Sequence, residues 1–202
     1  KNDEFAITIR DATLDVNTRL EADIMNVPWQ STFRIADWYG PSSGYETTTV
    51  LADADAWLHV GGELYLQGHG NTYYELTVFL SGMSQQRGYW QGIELSDGAY
   101  MSADHAAIEY TVIGINLTGG TSADVSNTLI RAFAEYGIHQ DSHTLVIARN
   151  SVIREGSIGV YATGNCIGSV YGWIENEIHE PVWVMNNDGH GFELENLVSA
   201  ET

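Results

Sequence analysis

The sequence contains a single lysine, Lys1, and only eight basic residues against 27 acids, for a formal charge of −19 at pH 7. A field of that sign repels phosphate backbones and anionic headgroups, so neither nucleic acid nor a membrane surface is an expected partner. There is one cysteine, Cys166, so no intramolecular disulfide can form. Within Gly164-Asn165-Cys166-Ile167-Gly168 it reads as a small apolar filler rather than a nucleophile. No apolar run approaches the ~18 residues needed to cross a bilayer, so membrane insertion is not expected. A glycine-rich phosphate loop, a nucleophile elbow and a Cys/His zinc spacing are missing too. The chain opens Lys1-Asn2-Asp3-Glu4 with no apolar signal region, as expected of a mature chain or of a piece of a larger protein. Its acids are scattered, which fits the solvated surface of a protein from a salt-rich habitat better than loose divalent-ion binding.

What is present is repetition. Asn127-Thr-Leu-Ile-Arg131 followed by Tyr136-Gly137-Ile138 returns as Asn150-Ser-Val-Ile-Arg154 followed by Ile158-Gly159-Val160. A looser third copy runs Glu175-Asn176-Glu177-Ile178-His179 and then Pro181-Val182-Trp183-Val184. Ile93, Ile115, Ile138 and Val160 follow one another at a nearly constant interval, and Ile108, Ile130 and Ile153 do so at the same one. The third copy continues these two columns with Val184 after Val160 and Ile178 after Ile153. A period in the low twenties carried by apolar residues, Asn and Gly is the signature of stacked β-coils, each burying its apolar edge against its neighbours. Asn127, Asn150 and Asn176 precede one column at a corner, where stacked amides can bond to one another.

With 202 residues and 44% hydrophobic content, the chain is expected to form one domain over 1–202. Residues 1–45 would supply an N-terminal cap and first coils, and 46–199 the repeating coils. Phe5–Ile9, Ala12–Val16, Thr47–Leu51, Leu58–Val60, Glu63–Leu66, Glu75–Leu80 and Tyr89–Leu95 read as strands, with Gly61-Gly62 as a tight corner. Thr18–Asn26, with Leu20, Ile24 and Met25 at helical spacing, has room for a short capping helix. The fold class expected is all-β, a right-handed parallel β-helix of about 7–8 coils.

The succession Leu58-x-Val60-x-Gly62-x-Leu64, then Thr77-Val78-Phe79, then Trp90-x-Gly92-Ile93, then Ala107-Ile108-Glu109-Tyr110 and the Asn-rich coils resembles the parallel β-helix domains of secreted and surface proteins. These belong to the pectate-lyase-like superfamily, and the resemblance covers about residues 45–197. It implies a secreted or cell-surface location and a groove or face that meets polysaccharide or surface glycan. Many such domains have no catalytic role. Gly189-His190-Gly191, repeated as Gly68-His69-Gly70, is similar to an element of polygalacturonases. The paired Asp motif upstream and the basic motif downstream that those enzymes need are missing.

The residue after each column residue should face outward. One row reads Glu109, Arg131, Arg154, His179: either a solvated charge ladder, with Glu109 and Arg131 pairing for ~0.2–1 kcal/mol, or a basic strip binding a sugar carboxylate. In the enzymes of the resemblance an Arg serves as base, which makes Arg131, Arg154, His139 and His179 the catalytic candidates. The other row reads Glu94, Asn116, His139, Tyr161, Met185. Within it, His139, Asp141 and His143 alternate so that an extended strand would offer three metal ligands, whereas a turn would scatter them. No cofactor is implied; Asp37, Asp53 and Asp55 could meet Ca2+, but without a motif. Asn116-Leu117-Thr118 fits a glycosylation sequon. Of the six tryptophans, an exposed pair would stack on sugar rings. The expectation is a non-catalytic or structural module that binds glycan or a partner, with a polysaccharide lyase or glycoside hydrolase as the alternative.

Overall fold

Short strands that alternate apolar and polar residues, with no stretch for a crossover helix between them, can bury their apolar edges only by coiling. The computed structural model describes residues 6–8, 12–15, 24–36, 38–40, 44–70, 75–141, 143–163, 183–185 and 192–195, and these form a parallel β-helix. Its first sheet stacks β1 (Ala6–Thr8), β3 (Ile24–Val27), β8 (Trp57–Val60), β11 (Trp90–Leu95), β14 (Thr111–Leu117), β17 (Tyr136–Gln140), β20 (Ile158–Thr163) and β22 (Phe192–Glu195). The second holds β2 (Ala12–Asp15), β4 (Thr32–Ala36), β9 (Glu63–Gln67), β12 (Tyr100–Asp104), β15 (Ser122–Ser126) and β18 (Leu145–Arg149). The third holds β7 (Thr48–Ala52), β10 (Val78–Gly82), β13 (Ala106–Glu109), β16 (Leu129–Arg131), β19 (Val152–Arg154) and β21 (Trp183–Met185). A hairpin of β5 (Trp38–Gly40) and β6 (Gly44–Glu46) is inserted between β4 and β7. The chain visits the three sheets in turn and returns one rung higher, and right-handed is the sense expected of such parallel connections. Eight rungs in the first sheet agree with the 7–8 coils expected.

No helix forms among the described residues. Of the segment with room for a capping helix, Ile24, Met25 and Asn26 are strand instead, part of β3 and paired with Trp57, Leu58 and His59, while residues 18–23 lie outside the described residues. Met25 and Val27 are buried and Asn26 between them is half-buried, which is a period of two. For these residues the open edge of β8 offers backbone partners and a continuing apolar column. A second strand that alternation did not flag is β4, where Phe33 and Ile35 are buried and Arg34 is exposed.

The interior consists of columns. Met25, Leu58, Ile93, Ile115, Ile138 and Val160 stack in register in the first sheet. Val50, Leu80, Ile108, Ile130 and Ile153 stack in the third. All are at most 2% exposed. Val184 continues the third-sheet column above Ile153, and Phe192 stands above Val160 in the first. The third copy of the repeat is therefore corrected: Val184 belongs to the other column, and Ile178 lies outside the described residues. The coil that leads from Ile153 to Val184 is longer than the two before it, and the extra length breaks the period on which the match of the third copy depends.

Two features explain the rest of the repeated phrase. Asn127 and Asn150 turn the corner between the second and third sheets with φ of 47° each, a left-handed conformation that Asn tolerates. The Asn150 side-chain amide donates to Asn127 at 2.6 Å and Asn127 donates to Asp104 at 2.8 Å, a ladder across three coils. The glycine before each first-sheet Ile marks backbones in close approach. A Cβ on Gly114 would lie 2.4 Å from the Gly137 carbonyl oxygen, and one on Gly92, at φ 114° in a bulge, 1.7 Å from that of Ile113.

Candidate functional site

On the third sheet the register aligns Glu109, Arg131 and Arg154 in one outward row, as the spacing implied. The next position is Met185; His179, expected there, lies outside the described residues. The row is not an open ladder, because Glu109 is 6% exposed and its neighbours Ser81 and Ala107 are buried. Arg131 Nε donates to Glu109 Oε1 at 2.5 Å, and its guanidinium lies 6.0 Å from the Tyr110 ring centroid. Burial works against the charge on Arg131, but the field and hydrogen bond of the Glu109 carboxylate prevail and raise its pKa above the ordinary value. Arg154 Nε lies 3.4 Å from Glu155 Oε1. Each arginine is thus matched to a carboxylate of its own chain, which leaves little positive field for a sugar acid.

His139, Asp141 and His143 are not brought together. His139 faces outward from β17, Asp141 is exposed beyond the strand's end, and His143 sits in a turn at φ 65°. Among the described residues no three His, Cys, Asp or Glu side chains are placed to share a metal ion. Asp53 Oδ1 accepts from the Ala54 N–H at 2.7 Å and the Tyr89 hydroxyl at 3.3 Å, and Asp55 Oδ1 accepts from Gln91 at 3.3 Å. The His69 N–H donates to Thr77 Oγ1 at 2.9 Å, fixing the bend that Gly68 and Gly70 flank. Asp37, Cys166, Asn176 and Gly189-His190-Gly191 lie outside the described residues.

The first sheet carries the more distinctive outer row. Asn26, His59, Glu94, Asn116, His139 and Tyr161 occupy consecutive rungs. Glu193, rather than Met185, holds the next position. At ~4.8 Å per rung the row from Asn26 to Tyr161 runs about 24 Å. His59 Nδ1–H donates to Glu94 Oε2 at 2.5 Å, and His139 Nδ1–H donates to Asn116 Oδ1 at 2.7 Å. In β17 two buried residues, Gly137 and Ile138, separate Tyr136 from His139, so both rings lie on the outer side. They stack with Tyr161 at centroid distances of 4.8 to 5.4 Å and interplanar angles of 25° or less. Trp57 stacks on His59 at 5.4 Å in the same way.

Burial lowers the pKa of His139 below its ordinary value, and the fields of Asp141 and Glu135 only partly oppose the shift. The imidazole is neutral at pH 7, and because Nδ1 carries the donated proton, Nε2 holds the lone pair. Glu94, Asn116, His139 and Tyr161 were legible as a row from their spacing. Trp57, His59 and Tyr136 were not, although the outward alternation of Trp57-x-His59 carried the signal. No helix among the described residues is long and apolar enough to cross a membrane. The chain finds no match among family models, curated proteins or solved structures, and its own geometry establishes a parallel β-helix with a ring-lined polar row along one sheet.

Proposed function

We propose that this chain is a non-catalytic β-helix module of a secreted or cell-surface protein that binds an extended glycan along the outer row of the first sheet. The observation that carries this reading is the Tyr136–His139–Tyr161 stack beside Asn116 and Glu94. Rings already stacked on one another lose little freedom on binding, so their polar atoms form a preorganised line. Donors and acceptors recurring at the rung spacing suit a linear polymer of hydroxyl groups. The net charge of −19 and the neutral His139 favour an uncharged glycan over a polyuronate.

The test is binding of neutral and acidic polysaccharides to the intact chain, by affinity electrophoresis or calorimetry. Tyr161→Ala and Tyr136→Ala should each weaken the interaction by about tenfold, or ~1.4 kcal/mol. A full panel of polysaccharides that does not bind, or variants that bind as the parent does, would sink the reading. The second reading, a polysaccharide lyase or glycoside hydrolase, draws on the 2.5 Å His59–Glu94 contact, a pair able to move a proton. A lyase acting on uronates releases unsaturated products that absorb in the ultraviolet. Silence with uronate polymers, with and without Ca2+, removes the lyase, and lack of new reducing ends removes the hydrolase.

A further inference from the structure

At the corner between the first and second sheets lies a recess of about 280 Å3 between Trp29, Glu63 and Tyr100, where Gly61, Gly62 and Gly98 contribute no side chains to fill it. Its construction is rigid. The turn at Pro28–Ser31 is closed by the Ser31 N–H donating to the Pro28 carbonyl at 3.0 Å, with Gln30 at φ 61°. The next coil is locked against it by the Gly61 N–H on Val27 O at 2.7 Å and the Glu63 N–H on Ser31 O at 2.8 Å. A Cβ on Gly62 would lie 2.2 Å from Ser31 O, so the two corners are in contact.

Trp29, on this turn, is 67% exposed, whereas Trp90 in the core is 1% exposed. Leaving an indole in water forgoes a large burial term, and here it borders a polar recess. Glu63 Oε2 accepts from Thr32 Oγ1 at 3.3 Å and from the Tyr65 hydroxyl at 3.1 Å. These bonds orient the carboxylate and leave Oε1 to accept from a ligand. Tyr100 meets Tyr65 edge-on at 5.9 Å.

The charges narrow the ligand. Glu63 opposes an anion. The Arg34 guanidinium, 5.3 Å from the Tyr65 ring centroid and two residues along the paired strands from Thr32 and Glu63, is a positive charge beside the recess that opposes a second one. A neutral sugar ring meets what remains, with its C–H face on the indole and adjacent hydroxyls donating to the carboxylate. We propose that this corner is a subsite for one neutral sugar ring of a glycan, with Trp29 as the platform and Glu63 as the hydroxyl acceptor. The subsite extends the glycan reading to a second place on the molecule, and it stands or falls separately from the first-sheet row.

The test titrates the intact chain with short neutral oligosaccharides (xylo-, manno- and cello-oligomers) by tryptophan fluorescence and calorimetry, beside oligogalacturonate and chitosan oligomers as charged probes. A neutral oligomer is expected to bind best. Trp29→Ala should weaken it about tenfold or more and remove the fluorescence change, Trp29→Phe should retain part of the affinity, and Glu63→Gln should weaken it severalfold. In the Tyr161→Ala background, where the first-sheet row is disabled, the Trp29-dependent part of the binding and its fluorescence change should persist. Should Trp29→Ala alter the fold by circular dichroism, the isosteric Glu63→Gln decides. The proposal is overturned if neutral oligomers do not bind, if charged ones bind more tightly, or if folded Trp29→Ala and Glu63→Gln both bind as the parent does.

Discussion

Arg131→Met probes whether the third-sheet row is a surface ladder or a buried pair, because the two give different magnitudes. An exposed ladder pair contributes ~0.2–1 kcal/mol, and its loss is almost silent. The side chain of Glu109 is only 9% exposed and that of Arg131 32%, with 2.5 Å between Nε and Oε1. Removing the arginine strands a carboxylate in a site that water barely reaches. Breaking a buried pair in this way costs ~3–5 kcal/mol, and the partial exposure of Arg131 reduces the expectation to about 2–4 kcal/mol. For a chain of this length that is a fall in Tm of roughly 5–12 °C. Glu109→Gln should cost less, since the guanidinium it releases is a third exposed and can solvate. The double variant Glu109→Gln/Arg131→Met should recover much of the loss, because no charge is left unpaired. Thermal unfolding of all four proteins by circular dichroism is the assay. An Arg131→Met loss below ~0.5 kcal/mol, or a double variant no better than the single, would refute the claim that Glu109 is held in a dry site.

Three other perturbations separate backbone effects from side-chain effects. Asn127→Ala loses two ladder bonds and places alanine at φ 47°, for ~2–4 kcal/mol; Asn127→Gly keeps the conformation and should cost less, as paired melts will show. Gly92→Ala sets a Cβ 1.7 Å from the Ile113 carbonyl oxygen at φ 114°, so a loss of ~3 kcal/mol or more and a sharp fall in soluble yield are expected; normal expression and melting would contradict the close approach. Acidification should destabilise the protein partly through His139: burial lowers its folded pKa below the unfolded one, so its contribution is intact above about pH 6.5 and is lost as the pH falls through the lowered value. His139→Gln should therefore lose less stability than the parent between pH 7 and pH 5 in urea titrations at each pH, and equal losses would contradict the assignment.

The columns were legible because stacking repeats the same physical demand every coil. Ile93, Ile115 and Ile138 must be apolar and one rung apart, and that demand survives in the sequence as a nearly constant interval. Asn127 and Asn150 were legible for the same reason, since each rung of the ladder needs the same amide. Legibility ends where a coil changes length. Spacing alone puts Val184 above Val160, but the longer final coil carries it to the third sheet, above Ile153. The alternation of β3 is masked by apolar neighbours at helical spacing.

By itself, then, the sequence determined the parallel coil, its two interior columns and the outward row from Glu94 to Tyr161, because alternation and period are local properties of the chain. Whether an outward residue is wet or dry depends on what other coils and loops place around it, and only the tertiary structure decided that Glu109 is buried beside a partly exposed Arg131. The same holds for groups distant in sequence. Trp57 and His59 join the first-sheet row across a longer coil, and Trp29 lines one recess with Glu63 and Tyr100 only because three coils turn the same corner one above another.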